Sequence, residues 1–424
     1  MIARQALGLQ RGEVTASDLV EACLSAVDEH DGHLRCFLEV DRAGARAQAG
    51  ESDRRRSKGR ALGPLDGIPV AVKGNLAVDG YTWSGGMATR AGITASEDAA
   101  AVATLRAKGA VIVGTTNLPE AAMGAVTANP WFGTCRNPRL PDRHAGGSSG
   151  GSGAAVAAGM SPLALGTDTM GSVRIPAAWC GVAGWTPSAG TIPTGGLIPL
   201  SKRLDTVGLL ATNADDLRIA AQAAGFLDSS TPDFSPPLLL IPEDLVERTP
   251  AEVQEGFRER VSELGWDSEK VHLGFDPARV RRAGLLAVEA ESYLFHRQAL
   301  QENPEGLSAR FRSMLEYADR APAWKLARSY QILDEVRERI AGLVVTDHHL
   351  LALPTTPHPP LPVTEPEPAW LGDLTAFVNA AGACAVSIPV LSVDDGPVGL
   401  QLVGRAQADR YLLQAAGETE KRLV

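Results

Sequence analysis

The sequence predicts an α/β protein in which helices cover both faces of a parallel or mixed central sheet. Two observations predict this class. Apolar segments of strand length alternate with segments of helical periodicity along much of the chain. The composition is that of an ordinary folded protein, since 44% of the 424 residues are hydrophobic and 21% are charged. A chain of this length and composition can bury a large core.

The first half of the chain supplies most of this alternation. Thr15, with Asp18 three residues later, has the pattern of a capping box at the start of a helix. The later patterns are, in order, a strand over 68–72, a helix capped by Ser96 and ended by Gly109, a strand over 110–113, and a strand over 163–166 that runs into the turn 167–169. Strands separated by helices indicate a sheet with covered faces.

The middle of the chain has a different character. Residues 225–345 are rich in Arg, Glu and Leu, and their periodicity is mostly helical, so we expect a helical excursion there. Strand patterns return at 350–353, 385–391 and 398–403, and a final helix follows. We therefore expect one α/β domain over residues 1–424, with a variable helical excursion in its middle.

Charge and composition argue against several classes of protein. A formal net charge of −10 would repel a phosphate backbone, and only 5% of the residues are aromatic, so we expect no nucleic-acid partner. The five cysteines form no CxxC pair, which predicts neither a disulfide framework nor a zinc site. The sequence contains neither an apolar signal region nor an apolar run of membrane-spanning length, so we expect a cytoplasmic protein and no membrane contact.

A Gly/Ser-rich loop, GGSSGGSG, occupies residues 146–153. Such a loop is either a flexible linker or a tight turn at a helix start, and the helix-forming run at 154–158 would let its N–H groups hold an anion. It is not a phosphate-binding P-loop, because no Gly-Lys-Ser/Thr closes it. It also matches G-x-S-x-G around Ser148, but the polar, Pro-broken segment before it is not the strand that a nucleophile elbow requires.

A second polar turn, GTDTMGSVRIPA at 166–177, does follow a predicted strand. Pro176 suits the first turn of a following helix, so Ser172 would project from a strand-to-helix turn. A hydroxyl in this position is a candidate nucleophile. We expect the backbone N–H groups of Thr169, Met170, Gly171 and Ser172 to converge where an oxyanion would form.

A serine nucleophile needs a base, and Lys73 is the candidate. None of the eight histidines has an acidic partner in a recognised triad pattern. Lys73 ends the alternating strand of Ile68, Val70 and Val72, where desolvation would lower its pKa from about 10.4 toward neutrality. The other reading is a surface lysine whose ammonium reaches water, and the residue pattern alone leaves both open.

Taken together, these segments resemble the amidase signature family. The strand GIPVAVKG at 67–74, the Gly/Ser loop and the turn at 166–177 are similar to the family's characteristic segments and follow in the same order. The segments FVNAAG at 377–382 and PVGLQLVG at 397–404 are similar as well. The resemblance covers most of the chain. It implies an amidase-signature-type fold, hydrolysis of a small-molecule amide, and no metal or organic cofactor.

The resemblance also implies a Ser-cisSer-Lys triad. Ser172 would attack the amide carbonyl, and Ser148, held by a cis peptide bond after Gly147, would relay its proton to neutral Lys73. The hydrogen-bonding shell of these loops would comprise Gly147, Ser149, Asp168, Thr169 and Arg174. Asn117 and Glu120 resemble a motif that we expect to be structural.

Two residues depart from the family pattern. Met170 stands where family members usually have glycine, so we expect catalysis to survive and the shape of the substrate to change. Ala145 replaces a proline, which we expect to be harmless. Cys180 is expected to be a small buried hydrophobic residue, with no role as a nucleophile.

The leading interpretation is a free-standing amidase. The alternative is a glutaminase-type subunit of a transfer-RNA amidotransferase, a branch in which position 175 is typically Gln. Ile175 and the short middle region favour the free enzyme, and intact Lys73, Ser148 and Ser172 disfavour a non-catalytic binding protein. A homodimer is an expectation from family habit alone.

The sequence does not identify the acyl group or the amine of the substrate. Candidate wall residues for the substrate pocket are Trp83, Met87, Met123, Trp131, Met170 and Trp179.

Overall fold

A mixed sheet of eleven strands forms the centre of the structure, a computed structural model that describes residues 1–230, 234–394 and 396–423. In chain order the strands are β1 (Phe37–Val40), β2 (Pro69–Lys73), β3 (Val111–Thr116), β4 (Ala128–Asn129), β5 (Gly133–Thr134), β6 (Leu163–Asp168), β7 (Ala183–Thr186), β8 (Thr206–Ala211), β9 (Leu238–Pro242), β10 (Ser268–Val271), β11 (His349–Pro354), β12 (Cys384–Ile388), β13 (Ser392–Val393), β14 (Gly396–Pro397) and β15 (Leu400–Gly404). The short pairs β4–β5 and β13–β14 lie outside the main sheet.

Helices connect and cover these strands. In chain order they are α1 (Ile2–Arg11), α2 (Ala16–Leu34), α3 (Arg42–Arg56), α4 (Ala100–Ala107), α5 (Gly150–Ala157), α6 (Arg174–Cys180), α7 (Ala214–Ala224), α8 (Glu243–Val246), α9 (Ala251–Leu264), α10 (Pro277–Glu302), α11 (Ala309–Arg320), α12 (Ala323–Leu343), α13 (Ala376–Ala381) and α14 (Asp409–Leu423). The predicted capping box at the start of α2 is present, with Thr15 Oγ1 accepting from the Asp18 amide and the Asp18 carboxylate accepting from the Thr15 amide.

The strand order in the sheet is β1-β3-β2-β6-β8-β7-β12-β15-β11-β9-β10. β3, β2 and β6 are parallel neighbours on one side, and β11, β9 and β10 are parallel neighbours on the other. The strands between β6 and β11 pair antiparallel. The predicted mixed sheet is therefore confirmed.

Alternate residues of the interior strands pack into two separate hydrophobic clusters. In β2, Val70 and Val72 belong to one cluster, whereas Ala71 belongs to the other. The first cluster also contains residues of α7 and α14, and the second contains residues of α5 and α6. Because successive side chains of a strand point to opposite faces, this division confirms that helices cover both faces of the sheet.

Two sequence predictions differ from the structure. Ser96 does not cap a helix, because α4 begins at Ala100 and its N-cap is Ala99. The nearby Asp98 carboxylate instead accepts from the Asp79 amide and pairs with Arg106. The excursion at 225–345 is dominated by helices α9 to α12, but it also contains β9 and β10, which extend the sheet beyond β11. That the chain forms one domain stays a prediction.

Candidate active site

Lys73 is the last residue of β2 and is completely buried. β2 lies between β3 and β6, so the lysine emerges among the ends of interior strands. Its Nζ donates to Ser148 Oγ at 2.7 Å and to Thr167 Oγ1 at 2.8 Å. Of the two readings that the sequence left open, the structure therefore contains the desolvated lysine.

Burial lowers the pKa of Lys73 from 10.5 to about 7, because removal from water disfavours the ammonium form. The negative charges of Asp168 and Asp205 act in the opposite direction. Burial also raises the pKa of Asp205 to about 6, although the Thr169 hydroxyl donates to its carboxylate at 2.7 Å. Near neutral pH, a large fraction of Lys73 is consequently uncharged and can accept a proton.

The Gly/Ser loop brings Ser148 to this lysine. The peptide bond between Gly147 and Ser148 is cis, and Ser148 is fully buried. Gly147 has no room for a side chain, because a Cβ atom there would lie 2.8 Å from the Val126 backbone. α5 starts at Gly150, so the loop is a tight helix entry and not a flexible linker.

Ser149 connects this loop to the second polar turn. Its hydroxyl donates to the Thr167 carbonyl at 3.1 Å, and its amide donates to the Ser172 carbonyl at 3.1 Å. The backbone of Ser172 is thus fixed beside the loop that carries Ser148. Ser172 itself follows β6, precedes α6 and is half-buried, as expected for a strand-to-helix turn.

Asp168 shapes the turn around Ser172. Its carboxylate accepts the amides of Gly171 at 2.6 Å and Val173 at 2.9 Å, and it forms an ion pair with Arg174 at 3.0 Å. Burial by itself would raise the pKa of Asp168, but the charge and hydrogen bonds of Arg174 and the Val173 amide hold this pKa well below its usual range. Asp168 is therefore an ionised structural anchor.

The same contacts modify the expected oxyanion site. The Gly171 amide already donates to Asp168, so it is engaged with a protein carboxylate in this structure. The amides of Thr169, Met170 and Ser172 remain the candidates for stabilising an oxyanion. Their role stays a prediction.

Arg174 links the turn to the C-terminal part of the chain. Its guanidinium, which is fully buried, donates to Asn379 Oδ1 at 2.6 Å and to Gln401 Oε1 at 2.8 Å. Asn379 in turn donates to Asp168 Oδ1 at 2.9 Å. Sequence reasoning assigned no role to Asn379 or Gln401, although both lie in the two C-terminal segments that resemble the family.

Two residues next to the lysine were also missed. Thr167 accepts from Lys73 and from the Asn75 side-chain amide, and Asp205 binds Thr169. Thr167 lies one residue before Asp168, so its position in the polar turn was the available signal. For Asp205 we find no signal in the sequence.

Ser172 contributes to the lining of a cavity of about 470 Å³. Its walls come from the segment 122–125, the turn of Ser172, helices α10 and α11, and the segment 366–372. Most of the lining is apolar. The lining also includes Arg281, which pairs with Asp373 at 2.6 Å, and Glu367, which pairs with Arg310 at 2.8 Å.

The predicted wall residues are partly correct. Met123 and Met170 line the cavity, but Trp83, Met87, Trp131 and Trp179 are absent from its lining. Trp179 is fully buried and donates to the His358 carbonyl at 3.0 Å, and Trp131 donates to Glu120 at 2.8 Å.

Asn117 and Glu120 hold neighbouring segments together, in agreement with the structural role expected of them. The carbonyl of Asn117 accepts from the Gly151 amide in the Gly/Ser loop. The Glu120 carboxylate accepts from the Ser308 amide at 3.1 and 3.2 Å, just before α11. Glu120 thereby fixes the start of a helix that forms part of the cavity wall.

Other features of the described residues bear on function. Cys180 is buried and donates to the Ala145 carbonyl at 3.3 Å, and burial raises the pKa of its thiol well above 9.0, as expected for a small buried residue. Within the described ranges, no group of three or more His, Cys, Asp or Glu side chains is arranged to hold a metal ion. No helix among those described has the length and apolar character needed to cross a membrane.

Comparison with known proteins agrees with this geometry. The family model for amidases matches residues 18–266 and 287–413. The chain is 34% identical to one of the subunits of the glutamyl-tRNA(Gln) amidotransferase of Chloroflexus aurantiacus, with 98% of this chain and 95% of that protein covered.

Solved structures show the same similarity. A crystal structure of an amidase superposes with a TM-score of 0.93 at 30% identity, with both chains fully covered. The 6-aminohexanoate cyclic dimer hydrolase in complex with its substrate superposes with a TM-score of 0.88 at 25% identity, covering 99% of this chain and 96% of the other. The chain therefore belongs to the amidase signature family, whose enzymes act on the carbon–nitrogen bonds of amides.

Proposed function

We propose that this protein is a free-standing amidase that hydrolyses a small, largely apolar amide through an acyl-enzyme on Ser172. One observation carries the proposal: Lys73 Nζ lies 2.7 Å from Ser148 Oγ, and burial lowers the pKa of this lysine to about 7. A buried neutral amine next to a serine hydroxyl is a base that works without histidine.

In the first half of the proposed reaction, Ser172 Oγ attacks the carbonyl carbon of the amide. The Ser172 proton passes to Ser148 Oγ as Ser148 transfers its own proton to Lys73 Nζ. The carbonyl oxygen becomes negatively charged and, in this proposal, accepts hydrogen bonds from the amides of Thr169, Met170 and Ser172. Lys73 is then an ammonium ion.

In the second half, the proton returns through Ser148 to the amide nitrogen, the carbon–nitrogen bond breaks, and ammonia or an amine leaves. A water molecule then attacks the ester on Ser172 and gives its proton to the same pair. Collapse of this second intermediate releases the carboxylic acid and restores the Ser172 hydroxyl. No cofactor takes part in these steps.

The lining of the cavity supports an apolar substrate. Its larger apolar side chains are Met123, Met170, Ile175, Leu200, Leu285, Val288, Met314 and Leu371. A volume of about 470 Å³ suits a small organic molecule. Because the charged groups in the lining are already paired, we expect an aryl or branched aliphatic amide to be hydrolysed faster than a dicarboxylic one.

The test is ammonia release from a panel of aliphatic, aryl and dicarboxylic amides and glutamine. We expect release from apolar amides by the wild type and by Ser57→Ala, an exposed serine that serves as the control. Ser172→Ala is expected to be inactive, and Ser148→Ala severely impaired. Wild-type turnover by Ser172→Ala would refute the assignment of the nucleophile.

A second candidate is a glutaminase-type subunit of an amidotransferase. It is supported by relatives from Chloroflexus aurantiacus and Thermus thermophilus, which are subunits of glutamyl-tRNA(Gln) amidotransferases. Ile175, in the apolar lining, favours the free enzyme instead. Purification from the native source distinguishes the two: copurifying subunits, with hydrolysis of glutamine that depends on them, would establish the second candidate.

A further inference from the structure

A second cavity, of about 400 Å³, lies between helices α10, α11 and α12. We call it the Glu289 cavity, after the residue that supplies its buried carboxyl group. Leu285, Leu286 and Glu289 contribute from α10, Tyr317 from α11, and Trp324 and Ile332 from α12. Leu285 also lines the catalytic cavity, so a single side chain contributes to both walls.

Glu289 is the unusual residue of this cavity. Its exposed fraction is only 6%, yet no other described residue donates a hydrogen bond to its carboxyl group or forms an ion pair with it. Burial raises the pKa of Glu289 to about 7. Because the carboxyl group is largely removed from water and no described side chain donates to it, a hydrogen-bond donor on a ligand would stabilise its ionised form.

Four cations line the cavity, and none of them donates to Glu289: Arg279, Arg282, Lys325 and Arg328. Arg279 and Arg328 lie within 3.7 and 3.0 Å of the Glu335 carboxylate, and Arg282 lies 3.7 Å from Asp276. These three arginine side chains are about half exposed, so water screens their charges. Their charges are therefore directed to surface carboxylates and not to Glu289.

The aromatic residues of the cavity favour a cation. Trp324 and Tyr317 are both exposed, at 66% and 49%. Lys325 Nζ lies 6.0 Å from each of their ring centroids, which is within the range of a cation–π interaction. The cavity therefore combines a buried acceptor, apolar walls and ring faces that already attract an ammonium group.

We propose that the Glu289 cavity binds a primary amine in its ammonium form, carrying a short apolar or aromatic body. The ammonium group donates to the Glu289 carboxylate, and the body packs against Leu285, Leu286 and Ile332. A neutral molecule of the same shape lacks the charge that pairs with Glu289. This site is separate from the reaction proposed at Ser172 and does not depend on it.

Calorimetric titration with benzylamine at pH 8 tests the proposal, with benzyl alcohol as the neutral probe of the same shape. We expect benzylamine to bind more tightly than benzyl alcohol, and Glu289→Gln to weaken benzylamine binding at least tenfold. Glu335→Gln, which removes a nearby carboxylate outside the lining of this cavity, is the matched control and should change the affinity less than twofold.

Three results would overturn the proposal. Equal weakening by both variants would mean general surface attraction, and unchanged binding to Glu289→Gln would mean that the amine binds elsewhere. Equal binding of benzyl alcohol would remove the need for a charge. If Glu289→Gln does not fold, Ile332→Trp fills the cavity while the carboxyl group remains, and benzylamine should then no longer bind.

Discussion

The Met170 side chain occupies the space that a side chain at Gly284 would need. A Cβ atom at position 284, on helix α10, would lie 2.7 Å from Met170 Sδ. Met170 stands where the resemblance to the family led us to expect glycine, and the absence of a side chain at Gly284 on α10 leaves room for the thioether. The thioether therefore lies between the turn of Ser172 and the helical wall of the cavity.

Replacing Gly284 with Ala should displace the Met170 side chain toward the catalytic cavity. We expect kcat/KM for a bulky aryl amide to fall roughly tenfold, because the cavity loses volume. Turnover of a small aliphatic amide should change little. Gly342→Ala on α12, where a Cβ atom would meet no atom within 4 Å, is the control and should behave as the wild type. Equal effects on large and small amides would contradict this prediction.

Lys73→Met should lower kcat roughly a thousandfold, since the reaction loses its base. The melting temperature should stay the same or rise, because a neutral side chain replaces an amine that is costly to bury. Steady-state kinetics and thermal unfolding measure the two effects. Lys58→Ala, at an exposed position, is the control. Near-normal turnover of Lys73→Met would rule out this lysine as the base.

The pH dependence of kcat/KM should have an ascending limb near pH 7. Below that pH, Lys73 is an ammonium ion and cannot accept a proton, so the rate rises as pH increases through about 7. Asp205→Asn removes a charge that raises the pKa of Lys73, and the limb should then move to lower pH. Asp267→Asn, an exposed site, should leave the limb in place. A shift to higher pH in Asp205→Asn would be inconsistent with this account.

Glu120→Ala should release the N-terminal end of α11 from the body of the protein, because Ser308 and Trp131 lose their acceptor. Since α11 supplies Arg310 and Met314 to the cavity wall, we expect KM to rise several-fold with a smaller change in kcat. Glu316→Ala, on the exposed side of α11, is the control. A loss confined to kcat would argue that Glu120 acts on the catalytic residues and not on the wall.

Arg174→Met should destabilise the protein by roughly 3–5 kcal/mol, because it leaves the Asp168 carboxylate buried without its charged partner. Chemical denaturation measures this change in the free energy of unfolding. Arg320→Met breaks an exposed pair with Glu316 and should cost about 1 kcal/mol or less. Similar losses in the two variants would show that the buried pair has no special role.

The strand and the turn that contain the candidate catalytic residues could be predicted because their sequence patterns involve only neighbouring residues. Lys73 is the last residue of an alternating strand, and Ser172 lies between a strand and a helix with proline in its first turn. A few neighbouring residues were therefore enough to identify each of them as a candidate. Asn379 and Gln401 gave no such signal, since they meet Arg174 across 205 and 227 residues. Only the folded chain brings these side chains together.

The cavity walls were harder to predict for a different reason. Large apolar side chains have the same appearance in a sequence whether they line a cavity or fill a core. Met123 and Met170 line the cavity, whereas Trp179 is fully buried and is not part of its lining. The strand β9 was missed because its apolar run lies within a region of helical periodicity.

The residues of the proposed proton path all lie between positions 73 and 172, whereas α10, α11 and the segment 366–372 supply much of the cavity wall. In the proposed reaction, the proton path therefore lies on one stretch of the chain, whereas the helical part of the cavity wall lies on another. For an engineer, this separation means that libraries at Leu285, Val288 and Met314 can explore new amides without altering the catalytic groups. In evolution, the same arrangement allows substrate preference to change through single substitutions on α10 and α11 while the proposed catalytic residues stay the same.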